Sequence, residues 1–154
     1  MSAVLVLDSL RRRVRAMHSL YYDATSTMTV EQVNHFEREG VVPIAFCLFH
    51  VVNMIDASFM LMTGVAPIWD ADWQMKVNMQ IADHGKHRTV QEMVHQRIGD
   101  YEAFKEYMNL VFERTESWLD TLDATECWIY QHGLRHMGEI ELARGLVGLG
   151  GMTS

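Results

Sequence analysis

Proline is almost missing from this chain: Pro43 and Pro67 are the only two among 154 residues. Runs that alternate polar and β-branched residues are equally scarce, so helix formers dominate and an all-α fold is expected. Cysteine is as rare. Cys47 and Cys127 lie far apart with no CxxC pair, which argues against a disulfide framework or a thiolate zinc cluster and leaves both as small buried apolar residues. Positive charge is in deficit, with 13 Lys and Arg against 20 Asp and Glu and a formal net charge of -7. Such a balance lacks the basic surface that nucleic acid or an anionic membrane requires, so neither is an expected partner. The opening MSAVLVLDSLRRR puts its apolar run ahead of its positive charges, the reverse of a secretory signal, and no small-residue cleavage site follows. A cytoplasmic protein is expected. Long unbroken apolar runs are lacking too. The stretch Val41–Trp69 is interrupted by Pro43, His50, Asn53, Asp56 and Gly64, too much polarity for a lipid-facing span, and reads as a buried bundle helix.

What the chain does have is apolar material, 49% of its residues, enough for one core at this length. Residues 1–154 are expected to form a single domain. A first helix should begin around Asp8 and run through LRRRVRAMHSLYY, with Leu10, Val14, Met17 and Tyr21 on one apolar face and Arg11, Arg12, Arg13 and Arg15 mostly outside the core. Thr29 and Gln32 in TVEQ form a capping-box pattern for a short helix, and Gly40 with Pro43 punctuates the entry to a long one from about Pro43 to Thr63. GVAPIWD carries the turn residues that end it. The segment from Asp70 to Arg97 reads as an irregular crossover with short helices. Asp100 should cap a third long helix whose stripe is Phe104, Tyr107, Met108, Val111, Phe112, Thr115 and Trp118, and a fourth should start near Thr125 and end in GLVGLGG. Four long helices with one long connection make a four-helix bundle, a layout whose core commonly builds metal sites.

Eight histidines is a high count for a chain of this size, and most must be incidental. His18, His35 and His95 have no partner at ligand spacing and are expected to be solvated or hydrogen-bonded. His50 differs, because FCLFHVVNMIDASF surrounds it with apolar residues on a core helix, where an imidazole needs a partner. In QHGLRHMGEIELARG, His132 and His136 stand one helical turn apart on one face. Together with His50 they would supply three neutral imidazoles from two helices, which satisfy a divalent ion and leave coordination positions open. Glu139 returns to the same face one turn later, as a proton acceptor, a hydrogen-bond partner to a ligand histidine, a ligand, or a surface salt bridge with Arg135 or Arg144. Asn53, one turn after His50, is placed to orient a substrate, and Asp56 is a weaker acid or base candidate because six residues of helix turn it away from His50. A rival cluster of Asp83, His84 and His87 sits among charged residues that suggest a solvated surface.

The core histidine in LFHVVNMIDASF followed by the HxxxHxGE/Q element HGLRHMGEIELARGL resembles the DinB-like superfamily over most of the chain. The resemblance implies an up-down-down-up four-helix bundle with a long crossover between the second and third long helices, often a homodimer. It also implies that His50, His132 and His136 hold a divalent metal, usually zinc or nickel and sometimes iron. Relatives of this type include thiol-dependent S-transferases and maleylpyruvate isomerase, which use mycothiol, bacillithiol or glutathione-like cofactors. Glu139 stands where many members carry glutamine, which puts any role for a neutral amide in doubt.

The leading expectation is a metal-dependent enzyme in which the ion activates a low-molecular-weight thiol or water, most readily for thiol transfer to, or isomerisation of, a small electrophilic substrate. Hydrolysis at the same metal is an alternative. A non-catalytic metal- or ligand-binding module is another, with the 12 methionines and the WDADW stretch lining a pocket or a dimer face, or simply packing the core. In a third reading the triad is vestigial and the bundle structural. The arginines of the first helix, with Arg88 and Arg135, are either a solvated face or binders of a thiol cofactor's carboxylates.

Overall fold

The computed structural model describes residues 3–85 and 87–122. Six helices follow in order: α1 (Ala3–Thr27), α2 (Val30–Val33), α3 (Ile44–Thr63), α4 (Ala71–Val77), α5 (Val90–Met93) and α6 (Tyr101–Thr121). Among the described residues the only ladder-type pairing outside helices is one antiparallel bridge between Met79 and Ile98. The chain is therefore all-α over this range. The fourth long helix of the sequence reading lies outside the described residues.

Local chemistry fixes the helix ends. Thr29 and Thr89 each build a capping box with Gln32 and Glu92, satisfying donors that the first turn leaves without partners. Asp70 and Asp100 accept from the main-chain N–H of Trp73 and Ala103. Pro43 opens α3, and Gly64 closes it at φ 75°, its N–H returning to the Met60 carbonyl. A residue with a Cβ would be strained in that left-handed turn.

Among the described residues the amphipathic helix α6 is central, packing against α1, α3 and α4. Its buried residues include Phe104, Tyr107, Met108, Val111, Phe112, Thr115 and Leu119, as the stripe predicts. Trp118 is half-buried and meets Phe59 edge-on, with ring centroids 5.7 Å apart. Cross-helix contacts give the directions. Tyr101 donates to the Thr25 carbonyl at 3.0 Å, His18 stacks on Phe112, and Arg11 donates to the Leu119 carbonyl, so α1 runs antiparallel to α6. Asn53 meets Tyr107, Asp56 meets Arg114 and Phe59 meets Trp118, so α3 runs parallel to α6. Two parallel helices need a long crossover, and residues 64–100 supply it.

The structure corrects four details of the sequence reading. The first helix starts at Ala3, earlier than Asp8. Its inward residues are Leu7, Arg11, Val14, His18, Tyr21 and Thr25, spaced 4-3-4-3-4, with Leu10 packed beside Leu7, whereas Met17 is 36% exposed. Three polar residues on that face, Arg11, His18 and Thr25, hide the pattern from a search for apolar stripes. Arg11 is not a solvated side chain: it donates to the carbonyls of Leu119, Asp120 and Leu122, capping the end of α6. Cys47 is exposed rather than buried, on the outer side of α3, and Cys127 lies outside the described residues.

The crossover is held by side chains that imitate backbone. Gln96, fully buried, accepts from the Ile81 N–H at 2.7 Å and donates to the Ile81 carbonyl at 2.8 Å. Asn34 makes the same two-way pair with Ile98 at 2.9 and 2.8 Å. Each amide supplies one donor and one acceptor, so both main-chain groups of an irregular segment are satisfied without a strand partner. Trp69 packs on Phe49 and Tyr107, and Trp73 reaches Tyr107 as well. The WDADW stretch thus packs against the core, with Asp70 as a helix cap.

Candidate functional site

The helix α3 has a window of mean hydropathy 1.8, and by length and composition alone it could cross a membrane. Its inward side is nevertheless polar in places. His50, Asn53 and Asp56 follow one another at one-turn spacing, and the core decides what each can do.

His50 is half-buried two turns into α3, its ring stacked on Phe46 with centroids 5.5 Å apart. Its Nδ1 lies 2.5 Å from the main-chain carbonyl oxygen of His84 in the crossover. A carbonyl can only accept, so Nδ1 carries a proton, and in the neutral ring the lone pair lies on Nε2. That is the state in which an imidazole binds a metal, with its second nitrogen anchored to an outer partner. The donor chemistry of His50 fits a divalent ion.

Asn53 and Asp56 belong to a buried polar network. Asp56 is fully buried and accepts from the Ile68 N–H at 3.0 Å, the Trp69 N–H at 2.8 Å and the Tyr107 hydroxyl at 3.0 Å. Arg114 completes the set with a short charge-assisted bond to the same carboxylate and donates to the Ala66 carbonyl at 3.1 Å. Burial pushes the Tyr107 phenol far above its usual range, with the Asp56 charge adding to the effect, so the hydroxyl stays a donor to Asp56. Asn53 is 7% exposed and donates weakly to that hydroxyl at 3.4 Å. The network ties α3, the turn after it and α6 together.

A third polar pair gives His18, expected to be solvated or hydrogen-bonded, a partner on α6. His18 is fully buried, stacks nearly parallel on Phe112 at 3.8 Å, and its Nδ1 donates to Glu116 at 2.6 Å. Its Nε2 is buried without a hydrogen-bond partner. Burial lowers the His18 pKa against the opposing pull of Glu116, which favours neutral imidazole. The 4-3-4-3-4 register of α1 was the available signal, since it puts residue 18 on the inward face.

The rival cluster does not assemble. Asp83 is engaged by Arg88 through bonds of 2.6–3.1 Å, and this pairing holds its carboxyl below the usual range. His84 is half-buried and His87 exposed. His95 is exposed, and His35 lies near Glu37 on the surface. Among the described residues no group of three or more His, Cys, Asp or Glu side chains is arranged to hold a metal. His132, His136 and Glu139, the other members of the expected site, lie outside the described residues, as do Arg135 and Arg144. The structure therefore shows one imidazole of the triad, with the geometry above, and Asn53 in the core one turn further on.

The chain matches no family model and no curated protein. It is similar in fold to a solved structure described as a conserved protein from Enterococcus faecalis, with a TM-score of 0.61 and 17% identity over 80% of this chain and 72% of that one. At that identity the likeness concerns the fold alone.

Proposed function

We propose that this chain is a divalent-metal-dependent enzyme of the DinB-like type. His50, His132 and His136 hold zinc, nickel or iron, and a low-molecular-weight thiol is transferred to a small electrophile or used to isomerise it. The observation that carries this reading is the His50 hydrogen bond to the His84 carbonyl, which in the neutral ring leaves the Nε2 lone pair for a ligand. Bound there, a divalent ion supplies an acidified thiol or water at neutral pH. Glu139 takes the proton, and Asn53 acts from one turn below His50.

Helix register supports the same site. The described chain ends at Leu122, whose carbonyl is held by Arg11, and nearby Trp118 stands level with Phe59 near the end of α3. From Phe59 back to His50 is about 14 Å of helix at 1.5 Å per residue. A fourth helix starting near Thr125 and running back along the bundle would carry His132 and His136 toward the level of His50. An antiparallel α1 and parallel α3 and α6 are the first three strokes of an up-down-down-up bundle, the topology we propose for the whole chain. The homodimer and the cytoplasmic location belong to the same proposal.

A second reading, a metal-binding bundle without turnover, is favoured by the burial of Asn53 on Tyr107, which leaves that amide little freedom to meet a substrate. Elemental analysis of untagged protein, beside the His50→Ala variant, tests the site. Near-stoichiometric metal that disappears in the variant is expected. Metal retained in His50→Ala, or none after reconstitution at neutral pH, would rule the triad out. Product formation from a thiol and an electrophile then separates enzyme from module.

A further inference from the structure

Asp83, His84 and His87 were a rival metal cluster in the sequence, and the structure assigns the turn around His84 another task. We infer that this turn is a cradle that fixes the His50 ring and its tautomer before any metal arrives, with Asp83, Gly85 and Arg88 as positioning residues. The inference rests on the proposed role of His50 as a ligand.

The turn is tied on both sides of the His84 carbonyl. Before it, the Ala82 carbonyl accepts from the indole N–H of Trp69 at 2.8 Å. Within it, the Asp83 carboxylate accepts from the Gly85 N–H at 2.9 Å, closing a local turn around His84. After it, Arg88 grips the same carboxylate, and the Arg88 N–H donates to the Gly85 carbonyl at 3.0 Å. The His84 carbonyl thus projects from a closed loop onto Nδ1 of His50.

Gly85 lets the loop come this close. It is buried at φ 82°, where side chains are strained, and a Cβ there would lie 2.8 Å from Phe46 Cε2 and 2.9 Å from Cζ. Phe46 is the ring on which His50 stacks. Loop, phenyl ring and imidazole therefore form one packed unit, and displacing the loop displaces both the acceptor of Nδ1 and the surface behind the ring. Neutral histidine in water favours the proton on Nε2, the nitrogen that a ligand must leave free. The cradle reverses that preference and removes an ordering cost that metal binding would otherwise bear.

Metal-free protein labelled with nitrogen-15 in histidine, at pH 8, reports the tautomer directly. Long-range proton–nitrogen spectra, with His50 assigned from the His50→Gln variant, should show the Nδ1–H form in the wild type. Gly85→Ala and Asp83→Ala should shift His50 toward Nε2–H and weaken zinc binding about 10- to 100-fold in competition with a chromophoric chelator, with helicity unchanged. Asp83 is 53% exposed in its side chain, so its variant keeps the test open if Gly85→Ala folds badly. An Nε2–H or mixed wild-type spectrum overturns the inference, as does an unchanged tautomer and zinc affinity in folded variants. Zinc bound equally well by His50→Gln would instead defeat the ligand reading, while the tautomer result still judges the cradle.

Discussion

At the scale of single residues, the three polar positions on the inward side of α3 have separate fates that their neighbours dictate. His50 meets a carbonyl and becomes a lone-pair donor, Asn53 meets a phenol, and Asp56 meets four donors. The sequence singled out His50 because an imidazole among FCLF and VVNM needs a partner. It could not name that partner, because a main-chain carbonyl 34 residues away has no side-chain signature. His18, expected to be solvated or hydrogen-bonded, could not be given its partner for a related reason: Glu116 and Phe112 reach it only from α6. Its pH behaviour follows. With the folded-state pKa lowered by burial, the native form prefers neutral His18 while the unfolded chain takes a proton near pH 6.5. This contribution is complete above the unfolded pKa and is lost as pH falls through about 6.5 toward the lower folded value. Denaturant melts from pH 8 to 5.5 should show the wild type losing more stability than His18→Gln; equal losses would place the acid sensitivity elsewhere.

At the scale of elements, helix ends and helix faces were legible and the pieces between them were less so. Capping residues act on their own helix within one turn, so Thr29 with Gln32, Pro43 and Asp100 could be read from the chain. The crossover could be predicted only as irregular, because Gln96 and Asn34 replace a missing strand through long-range pairs that have no period. Asp56 is the clearest structural keystone among these elements, since it satisfies two main-chain donors of the turn after α3 and the guanidinium of α6 at once. Asp56→Ala should cost about 3–5 kcal/mol, because it strands Arg114 and two amides without their acceptor. Arg114→Met should cost less, since the carboxylate keeps three donors and the replacement fills apolar space over Phe59. Urea midpoints for the two variants check the order; a milder Asp56→Ala would mean that water replaces the lost acceptor.

At the scale of the whole molecule, the antiparallel and parallel packing of α1 and α3 on α6 sets which ends of the helices share a level. If the bundle closes with a fourth helix carrying His132 and His136, metal binding links residues from distant parts of the chain and must stabilise the fold. Zinc at a hundredfold excess over its Kd should then add about 2.7 kcal/mol. A His132→Ala and His136→Ala double variant should retain its helical spectrum and show no zinc-induced shift in melting temperature. A full shift in the double variant would put the metal elsewhere. The sequence by itself determined the all-α class, the caps, the stripe of α6 and the suspicion attached to His50, because these depend on propensity, on periodicity and on groups within a turn of each other. Only the tertiary structure decided that Asp56 braces the core, that Arg11 caps a helix 108 residues away, and that the 82–88 turn reaches His50. Those outcomes depend on which surfaces meet, and hydrogen bonds and burial between distant segments leave no period in the chain to be read.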